Sequence, residues 1–191
     1  MTARAPRGPY AKTARRKQEI LEAALDAYAG AGASGVTLRE IAGRVGLTEA
    51  ALLHHFGSKD ALLVGVLAER DRSSDERHTG SGVERLTAIV RENTETPGLV
   101  KLFTDLAAAS SDPAHPAHAY FAERYARLAE TLIADEPRLT ESDAPWVARI
   151  VAATLDGLQV QWLLDPTIDM EADVRRLVDV LVTVLAPGDA S

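Results

Sequence analysis

The stretch from Val36 to Asp60, VTLREIAGRVGLTEAALLHHFGSKD, constrains the fold more than any other part of the chain. Thr37 is suited to cap a helix, Glu40 three residues on completes a capping-box pattern, and Leu38, Ile41, Ala42 and Val45 recur at helical spacing. Gly46 follows at once, and glycine takes the left-handed backbone that ends a helix at least cost. Leu47 is an apolar plug, after which Thr48 caps a second helix through Ala51, Leu52 and Phe56. The pattern predicts a helix-turn-helix. Neither helix is long enough to be stable alone, so packing by Ile41, Val45, Leu47, Leu52 and Phe56 must hold it.

A short helix held rigidly from behind can probe a major groove. The residues left outward near its start, Thr48, Glu49, Ala50, Leu53 and His54, are the base-reading candidates. Thr37 and Thr48 open helix N-termini, whose unpaired backbone N–H groups suit phosphate, and Arg39, His55 and Lys59 add side-chain donors near the groove wall. Ala50 and Leu53 make this probe less polar and suit thymine methyl groups.

These residues carry a family resemblance. Ile20-Leu21-x-Ala23-Ala24, Gly35-Val36-Thr37, Arg39-Glu40-Ile41-Ala42, Val45-Gly46-Leu47-Thr48, Leu52, His55-Phe56 and Ser58-Lys59-Asp60-Ala61-Leu62 together resemble the DNA-binding region of the TetR family of bacterial transcriptional regulators, over about residues 12–67. Where that family commonly places a phosphate-contacting Tyr, this chain has Leu53, so that contact is not carried over. The resemblance implies an all-helical fold of three plus six helices, a homodimer and a small-molecule chamber. Thr154-Leu155-Asp156-Gly157-Leu158-Gln159-x-Gln161-Trp162 is similar, over a much shorter span, to the penultimate helix of the BetI-like branch.

A net charge of −7 looks wrong for a DNA reader until it is divided along the chain. Residues 1–60 hold nine Lys and Arg against six Asp and Glu, a net +3, and the remainder is −10. A basic head on an acidic body orients toward phosphate. Met1 to Ala11 reads as an arm, either reaching DNA or merely solubilising. The first helix is expected from Thr13 to Ala31, and Arg15, Arg16 and Lys17 in its first turns suit either a phosphate neighbour or a solvated basic face. With no cysteine, disulfides and thiol catalysis are excluded. No run reaches membrane-spanning length and no secretory signal opens the chain, so a cytoplasmic protein is expected.

The body reads as helices throughout, over about residues 59–76, 83–95, 98–110, 116–134, 144–164 and 170–185, nine in all with the first three, and Glu69-Arg70-Asp71-Arg72 is expected to face solvent. The division expected is 1–58 for the arm and DNA-binding domain and 59–191 for ligand binding and dimerisation. The last two helices carry wide apolar stripes, and Val151, Leu155, Leu158, Val174, Leu177, Val178 and Leu181 are the dimerisation candidates. They close either the monomer core or a twofold interface. The dimer is favoured because one short probe specifies a site poorly, whereas a pair reads half-sites roughly 34–36 Å apart or multiples of that.

Phe103, Tyr120, Phe121, Tyr125, Gln159 and Trp162 are the candidate lining of the chamber, with core filling as the alternative for the aromatics. Asn93 and Gln161 either orient a ligand or face water, and Asp156 fits pocket, interface or solvent. His115 and His118 stand at i, i+3 without an evident third ligand, so no metal and no cofactor are assigned. No catalytic constellation is present to name, which argues against an enzyme. The reading is a DNA-binding transcriptional regulator, most simply a repressor released from a palindromic double-stranded operator by an unidentified effector. Its competitor is a helical carrier or enzyme whose helix-turn-helix only packs, which would bind no duplex.

Overall fold

Among the described residues, 9–32, 35–79, 82–135, 140 and 142–185 of a computed structural model, all regular structure is α-helical. The helices are α1 (Pro9–Ala29), α2 (Leu38–Arg44), α3 (Glu49–Phe56), α4 (Lys59–Arg77), α5 (Gly82–Glu95), α6 (Pro97–Ala109), α7 (Ala117–Asp135), α8 (Ala144–Leu164) and α9 (Met170–Leu185). The first starts four residues earlier than expected, at a proline whose fixed φ suits a first helical turn. Residues 1–8 of the expected arm lie outside the described residues.

The helix-turn-helix forms for the reasons legible in its residues. Thr37 Oγ1 accepts from the Glu40 N–H at 3.2 Å while Glu40 Oε2 accepts from the Thr37 N–H at 2.7 Å, a reciprocal capping box. At the turn Gly46 has φ of +65°, its N–H donates to the Gly43 carbonyl, and the Leu47 N–H donates to the Ala42 carbonyl at 2.9 Å. This Schellman closure satisfies carbonyls that α2 would leave open. From α1, Arg16 donates through Nη2 to the Val45 carbonyl at 2.6 Å and through Nη1 to Glu19 at 2.9 Å. Lys17 Nζ lies 5.6 Å from the centroid of the Phe56 ring. Arg16 and Lys17 therefore brace the motif, and Arg15 pairs with Glu19 at 3.4 Å.

Two buried clusters organise the chain. One joins Ile20 and Ala24 of α1, Ile41 and Leu52 of the helix-turn-helix, and Leu62, Val66 and Leu67 of α4 to Leu102, Phe103 and Leu106 of α6 and Phe121 of α7. Thus the head rests on α6 as well as on α4, and α7 packs behind these two. At the seam α6 approaches the end of α1 so closely that a Cβ on Gly98 would lie 2.4 Å from the Tyr28 carbonyl oxygen and 2.7 Å from that of Ala31. Only glycine fits there. The other cluster packs α5, α6, α8 and α9 through Leu86, Val90, Val100, Val147, Val151, Trp162, Val174 and Val182.

That second cluster covers much of the face expected to meet a second copy. Val151, Leu158, Val174 and Val178, expected at a dimer interface, are buried inside the chain's own core, and Leu155, Leu177 and Leu181 are half-buried beside it. A helix pair whose broad stripes first close its own bundle has little of them left over. The apolar residues outward on α8 and α9 are instead Trp146, Val160, Leu164, Val180 and Val184, with Leu164 82% and Val184 74% exposed. No described helix is long and apolar enough to cross a membrane.

Candidate nucleic-acid interface and body cavity

The probe helix α3 is short, and its placement depends on its caps and its buried side. Thr48 Oγ1 accepts from the Ala51 N–H at 3.2 Å, and Leu52 is fully buried behind it. Burying one leucine stabilises by about 1.5–3 kcal/mol, more than a cap, so packing sets where the probe sits and capping sets where it begins. Thr48, Glu49, Ala50 and His54 are exposed, as are Thr37 and Arg39 on the neighbouring helix start and Lys59 at the start of α4. Leu53 and His55 are half-buried, which leaves each only an edge to offer. Ser58 caps α4 by accepting from the Ala61 N–H at 3.0 Å, so only Gly57 and Ser58 separate α4 from the probe. His115 reaches toward that start, with Nε2 3.5 Å from Asp60, while its Nδ1 accepts from the Ala117 N–H, and His118 Nδ1 meets the Ser110 carbonyl. Each imidazole has a structural neighbour, and no metal-holding cluster occurs among the described residues.

In the body, α4, α5, α7 and α8 surround a cavity of about 170 Å³. Its apolar wall comes from Leu86, Ile89, Val90, Leu128, Ala152 and Leu155, its polar wall from Arg70, Asp71, Asn93, Arg124, Tyr125, Asp156 and Gln159 among others. Of the expected lining, Tyr125 and Gln159 are there. Phe103, Tyr120, Phe121 and Trp162 are not part of it. Phe103 and Phe121 fill the head-side core with ring centroids 5.1 Å apart, Tyr120 packs edge-on to Phe121 and donates its hydroxyl to Asp71 at 2.7 Å, and Trp162 closes the α8–α9 core. Large rings bury most area where two layers meet, so they go to the cores.

The solvent-facing expectation for Glu69-Arg70-Asp71-Arg72 holds for Arg72, which is exposed, and fails for Glu69 and Arg70, with Asp71 half-buried. Glu69 and Arg70 are 5% and 7% exposed. Glu69 is held by Arg72 through Nε at 3.0 Å and through Nη2 at 2.5 Å, and this partner holds its carboxyl below the usual range against the opposing effect of burial. Arg70 donates through Nη2 to Asn93 Oδ1, and burial, with Arg124 nearby, lowers its pKa. The signal that was available is positional: Leu63, Val66, Arg70 and Ser74 continue one inward stripe of α4.

Asp71 binds Arg124 as well as Tyr120. Burial raises the pKa of Tyr120, as does the carboxylate beside it. Asp156 accepts from the Tyr125 hydroxyl at 2.5 Å. Its carboxyl is pushed up by burial, opposed by Tyr125 and Arg124.

Comparison with known proteins follows the same division. Residues 20–66 match the family model for bacterial regulatory proteins, tetR family. The chain is 24% identical over 189 residues to the HTH-type transcriptional regulator BetI of Brucella suis, covering 92% of this chain and 94% of that one. It is 34% identical over 93 residues to the HTH-type transcriptional repressor AcnR of Corynebacterium diphtheriae, covering 49% of this chain and 40% of the relative. The crystal structure of the multidrug binding protein EbrR with imidazole superposes over the full length of both chains, with a TM-score of 0.64 at 24% identity, a likeness of fold. The capped helix-turn-helix, the all-helical body and these matches agree: residues 20–66 carry the DNA-binding region of the tetR family of bacterial regulatory proteins, set on a helical body of the same fold as its solved neighbour.

Proposed function

We propose that this DNA-binding regulator works in the cytoplasm as a homodimer on a palindromic operator, and that a small effector in the body cavity releases it. The observation that carries the DNA side is the exposed Thr48, Glu49 and Ala50 at the start, and His54 in the last turn, of a probe whose N-cap is formed and whose back is buried. Thr37, Arg39 and Lys59 stand beside it for phosphate, with Leu53 and His55 contributing edges. Residues 1–58 are assigned to reading DNA and 59–191 to dimerisation and ligand. Pairing uses the outward apolar side of α8 and α9, Val160, Leu164, Val180 and Val184, with half-buried Leu177 and Leu181 at its border.

The cavity touches α4 at Arg70, Asp71, Ser74 and Asp75, and the other end of α4 joins the probe. A ligand that favours one placement of α4 shifts the separation of the two probe helices and costs the dimer its simultaneous hold on both half-sites. Repression is the simpler direction, supported by the relative named a transcriptional repressor. Effector binding is supported by the fold neighbour named a multidrug binding protein.

The test is selection of random duplex DNA on the purified chain, followed by sequencing of what is retained. Enrichment of a palindrome with half-sites one or more helical turns apart is expected. Enrichment of nothing at moderate salt contradicts the reading.

A further inference from the structure

Two buried polar atoms on the cavity wall have no hydrogen-bond partner: Arg70 Nη1 and Gln159 Oε1. Both side chains are more than nine-tenths buried. Buried polar groups in folded proteins are nearly always paired, so two orphans on residues that line one hollow ask for an occupant that the side chains can turn to meet. Their charges narrow it. Among the described residues lining the cavity, the other cations are already neutralised: Arg85 by Asp75 at 2.5 Å, Arg124 by Asp71, and Arg127 near Asp71 and Glu123. Asp156 is engaged by the Tyr125 hydroxyl. Arg70 has no carboxylate within ion-pair distance and uses Nη2 on a neutral amide, which leaves Nη1 of its planar fork without a partner.

Building on the effector reading above, we propose that the cavity takes a small organic carboxylate, its oxyanion on Arg70 and a polar substituent on Gln159. A guanidinium edge matches a carboxylate in shape as well as charge, and the amide of Gln159 can turn either a donor or an acceptor to the ligand. The space suits a body about the size of a benzene ring, since a cavity of roughly 150 Å³ holds benzene. Leu86, Val90, Leu128 and Leu155 give that body an apolar wall. Because Arg70 lies on α4, the ion pair forms on the helix that leads to the probe.

The test uses the full chain and three probes of nearly equal shape, benzoate, benzamide and benzylamine, read by melting temperature and by release of a selected duplex. Benzoate is expected to raise the melting temperature and weaken duplex binding at concentrations at least about tenfold below those at which the neutral and cationic probes act. Arg70→Gln is expected to erase that preference. Equal action by benzamide, action by none of the three, or an unchanged benzoate effect in Arg70→Gln overturns the carboxylate site. Should that variant not fold, the ranking of the probes on the unaltered chain decides. Duplex binding without ligand is scored separately: its loss defeats the regulator reading, whereas intact duplex binding with no benzoate preference defeats the carboxylate site alone.

Discussion

The head and the body handle polar groups in opposite ways. In the head, the caps of α2 and α3, the Gly46 turn and Arg16 satisfy backbone groups locally, so the polar side chains left over face outward. In the body, charge runs inward along α4 and α5, and two polar atoms end unpaired at a cavity. Two carboxylates show the contrast in miniature. Glu40 is held below its ordinary pKa by the Thr37 N–H and hydroxyl, whereas Asp156 is raised by burial. The lesson is that local capping leaves the head's surface complete by itself, while the body's cavity leaves polar groups unpaired, as a chamber of the proposed function would.

The comparison breaks most severely if the packing behind the probe is removed. Leu52→Ala is expected to cost about 3 kcal/mol, as large-to-small changes at fully buried sites do, and to abolish duplex binding. Chemical denaturation and a binding titration check both effects. Gly98→Ala should follow at about 2 kcal/mol, because a methyl group cannot share space with the Tyr28 and Ala31 carbonyls. It sits at the seam, so its melting curve tests whether head and body unfold together.

Thr37→Ala should cost about 1 kcal/mol by removing the side-chain half of the capping box. Lys59→Ala sharpens the comparison from the other side: an exposed change should leave stability within about 0.5 kcal/mol and reduce the salt slope of duplex binding by about one.

The smallest effects are those of pH, and their signs are opposite. Glu40 has a lowered folded pKa, so its contribution is present above its unfolded value of about 4.3 and is lost as pH falls through the folded value. Asp156 has a raised folded pKa, so its ionised form costs stability above that value, and the cost is relieved as pH falls toward the unfolded value of about 3.9. Stability measured from pH 7 downward for Glu40→Gln and Asp156→Asn, each against the unaltered chain, should therefore give difference curves of opposite slope.

The head was legible because its determinants are local. Thr37, Glu40, Gly46 and Thr48 act within four residues of themselves, and their caps form as their spacing implies. Helix bounds in the body were also close, since Thr96-Pro97-Gly98 and Leu164-Asp165-Pro166 punctuate it and the last two helices run as expected. What periodicity does not supply is the neighbour that a helix face meets. Arg70 sits in a charged run that reads as surface, yet α4 passes between two layers and turns it inward beside Asn93 of α5. Phe103, Phe121 and Trp162 lie on the right helices but face cores, and the buried side of α8 and α9 could not be told from an interface without knowing how much of it the chain itself covers.

The central claim is that the exposed start of α3 reads duplex DNA as one of a pair. The most direct measurement is the affinity of the purified chain for a selected palindrome, for one half-site and for a scrambled duplex, across about 50–200 mM salt. The account predicts a steep linear fall of log affinity with log salt on the palindrome, with both controls far weaker at every point. A flat line, or equal affinity for the palindrome and the scrambled duplex, would contradict it.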